Sequence, residues 1–116
     1  MTREFDKGFI YVANPYSHSD PDVMETRYSL TAAYVAACLQ EREVVYSPIV
    51  HHHHMAQEHK LPHQWAFWRH IDGNMLASAR KIRVLKLDGW EKSVGVQSEI
   101  AIALALGIEV EYVETM

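Results

Sequence analysis

The chain has 116 residues, of which 48% are hydrophobic and 22% charged, an ordinary composition for one globular domain. Its formal net charge is -4, and its 11 Lys and Arg residues are scattered along the sequence. Because proteins bind nucleic acids through clustered cationic side chains, we do not expect a nucleic acid as the partner. The single cysteine, Cys38, excludes an internal disulfide and a zinc site built from several thiolates.

No stretch approaches the ~20 consecutive apolar residues of a membrane-spanning helix. The first residues, 1–9, also lack the apolar stretch of a signal peptide. We therefore expect a cytoplasmic protein with no membrane partner.

Predicted strands and helices alternate along the chain. The apolar residues 9–13 predict a buried strand, which ends at Asn14-Pro15 because proline supplies no ladder donor. Residues 22–40 repeat apolar side chains at three- and four-residue steps and predict a helix, and residues 43–47 predict a second strand. Residues 48–62 predict no regular element. The remaining pattern predicts a helix, a strand, a helix and a last strand, over residues 63–79, 81–87, 93–106 and 109–113.

This alternation favours a parallel sheet with helices on both faces. We expect one domain over residues 1–116, with a flavodoxin-like or Rossmann-like three-layer α/β/α fold. The expected sheet has four or five parallel strands in the order 2-1-3-4. So small a sheet offers limited cover for its faces, which predicts a homodimer or a higher homo-oligomer.

In open parallel sheets, ligands bind beyond the carboxyl ends of the strands. This rule singles out residues 14–18, 47–54 and 88–95, which follow the first three predicted strands. The last of these segments runs into a helix, whose free N–H groups and dipole favour an anion such as phosphate. Ser93 can cap that helix, and Gly95 lets its backbone come close to a ligand.

Glu99 lies in the second turn of the same predicted helix, beside the face that is expected to be buried. That face carries Val96, Ile100, Ala103 and Leu104. We expect the helix dipole to keep the Glu99 carboxylate ionised, as a nucleophile must be. The pattern alone also allows an ordinary solvated helix residue.

Three features together resemble the nucleoside 2-deoxyribosyltransferase superfamily, over residues 8–113. They are FIYVANPYSH at residues 9–18, Asp72 in the penultimate helix, and LDGWEKSVGVQSEIAIALALG at residues 87–107. The resemblance is nearest to a branch of small bacterial and phage proteins. It implies N-glycosidic chemistry, in which a glutamate attacks the anomeric carbon of a nucleoside and forms a glycosyl-enzyme intermediate.

The resemblance implies a role for three residues. Glu99 matches the nucleophile, Tyr11 the tyrosine that holds it, and Asp72 the aspartate linked to protonation of the base. To donate a proton Asp72 needs a raised pKa, which Trp68 and Met75 can supply by desolvation.

The resemblance also bears on the substrate. Superfamily members that transfer a base carry an acidic residue six positions before the nucleophile, where this chain has Ser93. Serine there resembles the hydrolases of deoxynucleoside 5′-monophosphates, because a hydroxyl and helix N–H groups accept a phosphate that a carboxylate repels. We therefore expect hydrolysis of a nucleotide, with transfer between nucleosides as the variant. Those hydrolases carry a glycine-rich loop with arginine after the first strand, for which Ser17, His18 or Arg27 could substitute.

Further substrate contacts are expected from the strand ends. Asn14 and Tyr16 could line the base pocket, Asp88 could bind a sugar hydroxyl, and a base could stack on Trp90. Turn formation explains Asn14 and Asp88 equally well, and Trp90 could simply pack over the end of the sheet.

The run His51–His54 suggests a metal site. Consecutive residues of an extended chain point to opposite faces, however, so we expect no metal and no cofactor, with one or two histidines near the substrate. The tryptophans Trp65 and Trp68, with Phe67, are interpreted as core or subunit interface. Two other function classes stay open at this point. They are a catalytically idle nucleotide-binding module and a metal-binding protein.

Overall fold

A computed structural model of the chain describes Phe5 and residues 8–115. The elements in this part of the chain are β1 (Ile10–Ala13), α1 (Pro21–Gln40), β2 (Val45–Tyr46), α2 (Pro48–Glu58), α3 (Trp65–Ala77), β3 (Lys81–Leu85), a short 3₁₀ helix (Trp90–Lys92), α4 (Val94–Ala105) and β4 (Glu109–Val113). Residues 1–4, 6, 7 and 116 lie outside the described residues. The expectation that the chain lacks a signal peptide was based on residues 1–9, so most of that segment also lies outside them.

The four strands of the described chain form one all-parallel sheet in the order β2-β1-β3-β4. Tyr11 in β1 pairs with Tyr46 in β2 and with Ile82 in β3. The predicted α/β class, the parallel pairing and the strand order are thereby confirmed.

Alternate residues of β1 face opposite sides of the sheet, as the pleat of a strand requires. Tyr11 and Ala13 face a core shared with Leu76 of α3 and Ala103 of α4. Val12 faces the smaller core on the other side, where Leu85 and Leu87 are buried and α1 supplies Tyr34. Helices therefore cover both faces, and the α3–α4 side holds the larger core.

The segment predicted to have no regular structure contains a helix, α2, so that prediction is wrong. Ser47 caps the helix by accepting a hydrogen bond from the Val50 N–H at 3.1 Å, and Pro48 occupies its first turn. Four histidines hid the helix because they supply no apolar repeat. The residues His51–His54 consequently follow a helical turn and do not alternate between two faces, and of these four only His53 is buried.

The buried face of α4 differs at its edges from the prediction. Val96, Ile100 and Ala103 are buried as expected, but Leu104 is 66% exposed and Glu99 is 5% exposed. Both residues flank the centre of the face, on opposite sides. The helix α3 packs against α4 and buries the Glu99 side, which leaves the Leu104 side open.

Among the described residues, no helix has the length and apolar character that crossing a membrane requires. The cytoplasmic location and the homo-oligomer stay predictions.

The cap of α2 can be tested by its contribution to stability. Replacing Ser47 by Ala removes the acceptor of the Val50 N–H, and we expect the free energy of unfolding to fall by about 1 kcal/mol in urea titrations followed by circular dichroism. Ser29→Ala is the matched control, because Ser29 is exposed inside α1, where alanine is the better helix former. Equal losses in both variants would contradict the capping role.

Candidate active site

A cavity of about 940 Å³ lies at the carboxyl edge of the sheet. Ala13 and Asn14 reach it from the end of β1, Pro48 from the segment after β2, and Gly89 from the segment after β3. From β1 the chain adds β2 on one side, and it then returns to add β3 and β4 on the other side. The strand order therefore reverses between β1 and β3, which is where ligands of open α/β sheets bind. The cavity therefore occupies the position that the sheet topology predicts.

Several parts of the fold line the cavity, and four of them carry the candidate site residues. The segment after β1 contributes Asn14, Tyr16 and Ser17, and the helix α2 contributes His52 and His53. The helix α3 contributes Trp65, Trp68 and Asp72, and the start of α4 contributes Ser93, Gly95 and Glu99.

Tyr11 and Glu99 form a buried hydrogen bond behind the cavity wall. The Tyr11 hydroxyl donates to Oε2 of Glu99, and the Glu99 side chain itself lines the cavity. Burial and the neighbouring Glu99 charge raise the pKa of Tyr11 well above its usual range, so the phenol keeps its proton and remains a donor. Tyr11 thus holds one carboxyl oxygen of Glu99 from a buried position outside the cavity lining.

The protonation of Glu99 differs from the sequence prediction. Burial raises the pKa of this carboxyl to about 8, although the Tyr11 hydrogen bond lowers it, and the Asp72 charge adds to the rise. The expectation that the helix dipole keeps Glu99 ionised is therefore wrong. A helix end contributes only about 1 kcal/mol toward the charged form, whereas loss of hydration of a buried carboxylate costs several.

Asp72 lies in α3 and is 6% exposed, and its Oδ1 has no hydrogen-bond partner among the described residues. Burial raises the pKa of Asp72 to about 7. The predicted rise and its predicted cause, desolvation, are both confirmed. Because the pKa values are about 7 for Asp72 and about 8 for Glu99, the two carboxyls together retain about one proton between pH 7 and pH 8.

Five of the predicted substrate-binding residues line the cavity, and two do not. The five are Asn14, Tyr16, Ser17, Ser93 and Gly95. Asp88 and Trp90 lie elsewhere, so the structure does not support their predicted contacts with a sugar and a base. Gly89 takes a φ of 89°, and the turn directs the Trp90 ring onto Tyr112, with ring centres 5.7 Å apart.

One or two histidines of the run were expected near the ligand, and two of them line the cavity, but sequence reasoning missed the helix that carries them and underrated two tryptophans. His52 and His53 reach the cavity because the missed helix packs beside it. Trp65 and Trp68 line it as well, whereas they were interpreted as core or interface. Trp68 donates its indole N–H to the Pro62 carbonyl at 2.7 Å, which fixes the start of α3. The cluster of aromatic residues in one amphipathic helix was the available signal.

The three residues expected to substitute for the arginine of the nucleotide hydrolases all have partners within the chain. Arg27 donates to the backbone carbonyls of Tyr16, Ser17 and Asp88, at 3.3, 3.1 and 3.3 Å. Ser17 donates to the His63 carbonyl, and His18 accepts from the Asp20 N–H. Arg27 therefore clamps the segments after β1 and β3 together.

The fold and the site define a class of protein. It is a parallel α/β domain with a large cavity at the switch point of its sheet and two protonatable carboxyl groups in the cavity wall. Within the described residues, no three His, Cys, Asp or Glu side chains gather as a metal site.

Residues 8–115 match the family described as "Domain of unknown function (DUF1937)", and the chain belongs to this family. No curated protein matches the chain.

The raised pKa of Glu99 predicts a pH-dependent loss of stability. In the unfolded chain this carboxyl ionises near its ordinary pKa of 4.5, but in the folded protein only near 8, so the folded state loses stability as the pH rises between these values. We expect wild type to lose on the order of 2–4 kcal/mol more than Glu99→Gln between pH 5 and pH 8, measured by urea unfolding.

Glu58→Gln is the control for this measurement. Glu58 is exposed at the end of α2 and is hydrated in both states, so its replacement should leave the pH dependence of wild type unchanged. Parallel stability curves for wild type and Glu99→Gln would contradict the buried, protonated carboxyl.

Proposed function

We propose that this protein is an N-glycosidase that cleaves the base–sugar bond of a (deoxy)nucleoside 5′-monophosphate or nucleoside, with Glu99 as the nucleophile. One observation carries the proposal. Three distant parts of the chain meet at one cavity. Asp72 and Glu99 line it, the Tyr11 phenol donates a hydrogen bond to Glu99, and the Asp72 charge raises the pKa of Glu99.

The size and lining of the cavity suit a nucleoside or nucleotide. Its volume of about 940 Å³ lies in the range of small-molecule sites, about 300–1,000 Å³. Trp65 and Trp68 supply flat apolar surfaces against which a base can pack. The carboxyl groups stand in the same cavity, as a reaction at the sugar next to the base requires.

In the proposed reaction, the Glu99 carboxylate attacks the anomeric carbon, and the bond between that carbon and the base nitrogen breaks. The electron pair of the broken bond goes to the base, which Asp72 protonates. Water then hydrolyses the glycosyl ester, with the Asp72 carboxylate accepting its proton, which restores both residues. Tyr11 orients Glu99 throughout by holding Oε2.

The reactive form needs the single shared proton on Asp72 and the charge on Glu99. The hydrogen bond from Tyr11 favours a charged Glu99, because a carboxylate accepts hydrogen bonds better than a carboxylic acid. Oδ1 of Asp72 has no such donor among the described residues, which favours the neutral acid there. The hydrogen bond from Tyr11 thus increases the share of the reactive form. The pKa of Glu99, about 8 against about 7 for Asp72, still places the proton on Glu99 in most molecules, so the reactive form is the minor one.

The start of α4 is the proposed phosphate site. The N-terminal backbone of this 12-residue helix, its cap Ser93 and the neighbouring Lys92 line the cavity. A Cβ on Gly95 would make only ordinary contacts of 3.8 Å or more, so the glycine leaves space for a ligand. These features support a nucleoside monophosphate over a free nucleoside.

Release of free base tests the proposal directly. Purified protein is incubated with deoxynucleosides and their 5′-monophosphates, and the products are separated by liquid chromatography. We expect release to fall at least about 10³-fold in Glu99→Ala, because the nucleophile is lost. Glu91→Ala, at an exposed position of the 3₁₀ helix, is the control and should retain full activity. Undiminished release in Glu99→Ala would eliminate Glu99 as nucleophile.

The role of Asp72 predicts a dependence on the leaving group and on pH. Asp72→Asn should slow release of an ordinary base by about 10²–10⁴-fold, but much less for a 7-methylated purine, which leaves without protonation. In wild type, the rate should peak between pH 7 and 8 and fall on both sides, because the reactive pair carries one proton and the pKa values are about 7 and about 8. Equal losses for both bases would argue against proton donation by Asp72.

A catalytically idle nucleotide-binding module is the second candidate, and one observation favours it. Burial raises the pKa of Glu99 to about 8, so an uncharged and unreactive carboxyl predominates at neutral pH. Calorimetric binding of a nucleotide without release of base would support this candidate. Formation of a new nucleoside when a second base is added would instead identify a deoxyribosyltransferase.

A further inference from the structure

We propose that the segment after β1 is a specificity-determining wall that presents hydrogen-bond acceptors to the cavity. The only hydroxyl protons of Tyr16 and Ser17 and one amide hydrogen of Asn14 are bound within the protein, which leaves the three side-chain oxygens as acceptors for the ligand. The wall would therefore select a ligand by its donor groups, a sugar hydroxyl or an amino group of the base. The identity of the ligand as a nucleoside rests on the proposed function.

Asn14 is the innermost member of this wall. Its amide nitrogen donates to the Pro15 carbonyl at 2.9 Å, which fixes the orientation of the amide group. Its Oδ1 is buried and has no partner among the described residues. A buried acceptor without a partner is unfavourable, so its presence beside a cavity indicates that a ligand supplies the missing donor.

Tyr16 belongs to a chain of three polar side chains. Its hydroxyl lies 2.7 Å from Nδ1 of His53, and Nε2 of His53 lies 2.9 Å from Oε1 of Glu25. The His53 side chain is fully buried, whereas that of Glu25 is 50% exposed. Tyr28 stacks on the His53 ring with the centres 4.1 Å apart, so the imidazole is held on its face and at both nitrogens.

This arrangement sets the direction of the hydrogen bonds. A carboxylate only accepts, so the proton of a neutral imidazole lies on Nε2, facing Glu25, and Nδ1 is an acceptor. Tyr16 must then donate its only proton to Nδ1. The Tyr16 oxygen retains lone pairs but has no proton left for a ligand.

The charge state of Tyr16 agrees with this role. Burial raises the pKa of the Tyr16 phenol, and the Glu25 charge raises it further. Tyr16 therefore stays a neutral phenol, which suits a hydrogen-bonding group and not an activated nucleophile.

Ser17 completes the wall on the same segment. Its hydroxyl donates to the backbone carbonyl of His63, and its oxygen is left to accept. Acceptors repel the oxygens of a phosphate, so a nucleotide would place its phosphate at the start of α4, where Ser93 and Lys92 lie. The start of α4 would thus donate hydrogen bonds to the phosphate, and the wall after β1 would accept hydrogen bonds from the sugar or the base.

Three probes that differ in one donor each test this selection. They are the 5′-monophosphates of 2′-deoxyadenosine, of the purine 2′-deoxyriboside without the amino group, and of 2′,3′-dideoxyadenosine without the 3′-hydroxyl. Their Kd values are measured by calorimetry in Glu99→Gln protein, which prevents turnover. We expect one of the two deficient probes to bind about 5–100-fold more weakly, because a wall acceptor is left unpaired. The probe that loses affinity identifies the donor.

Tyr16→Phe should bring the affinities of the donor-bearing and donor-deficient probes closer together if Tyr16 accepts that donor, and Asn14→Leu should do so if Asn14 accepts it. Tyr28→Phe is the matched control, because it keeps the ring stacked on His53 and does not line the cavity. It should leave the discrimination unchanged. Equal Kd values for the three probes would overturn the proposal, as would no binding of any probe.

A ligand-free measurement tests the chain of hydrogen bonds itself. Long-range ¹H–¹⁵N spectra of the His53 ring at pH 7.5 should show the proton on Nε2 and an unprotonated Nδ1. A protonated Nδ1 would overturn the proposal, because Tyr16 would then be free to donate. Donor-dependent binding without release of base by wild type would refute the proposed glycosidase and leave this inference standing. Release of base with equal binding of all probes would do the opposite.

Discussion

The site depends on the hydrogen bond between Tyr11 and Glu99, two residues that lie 88 positions apart in the sequence. Tyr11 lies in β1, between β2 and β3, and its side chain faces the core that α3 and α4 cover. The chain between Tyr11 and Glu99 forms three α-helices and two further strands before α4 brings Glu99 beside the phenol. Burying the Glu99 carboxyl is unfavourable, and the phenol offsets part of that cost while holding one oxygen in place. A group that destabilises the fold in this way is typical of a site maintained for chemistry.

The ionisable groups, the hydrogen-bond donors and the hydrogen-bond acceptors of the cavity lie on different parts of its wall. Asp72 and Glu99 stand in its wall with raised pKa values, both because of burial. The start of α4 offers donors and a positive helix end, whereas Asn14 and Tyr16 offer acceptors. Arg27 joins the segments after β1 and β3 through three backbone carbonyls, so these surfaces keep their relative positions.

The failures of sequence reasoning share a physical cause. The helix α2 was missed because four histidines supply neither an apolar repeat nor strong helix propensity, although Ser47-Pro48 is a helix start by capping. Asp88 and Trp90 follow a strand end, as binding residues often do, but the turn at Gly89 sends the indole toward Tyr112. A hydrophobic pattern predicts whether a segment forms a helix or a strand, but it does not predict where a turn directs the next side chain.

By itself the sequence determined the alternation of strands and helices, the parallel sheet, its strand order, and the positions of Tyr11, Asp72 and Glu99 near its carboxyl edge. The alternation and the parallel sheet follow from local periodicity and from the handedness of β-α-β crossovers, whereas Tyr11, Asp72 and Glu99 were singled out by the resemblance to a known superfamily. Only the tertiary structure decided that burial raises the pKa of Glu99, that Arg27 and Ser17 form hydrogen bonds within the protein, and that Glu25 and His53 orient Tyr16. Protonation and hydrogen-bond partnership depend on burial and on groups distant along the chain, which no local pattern records.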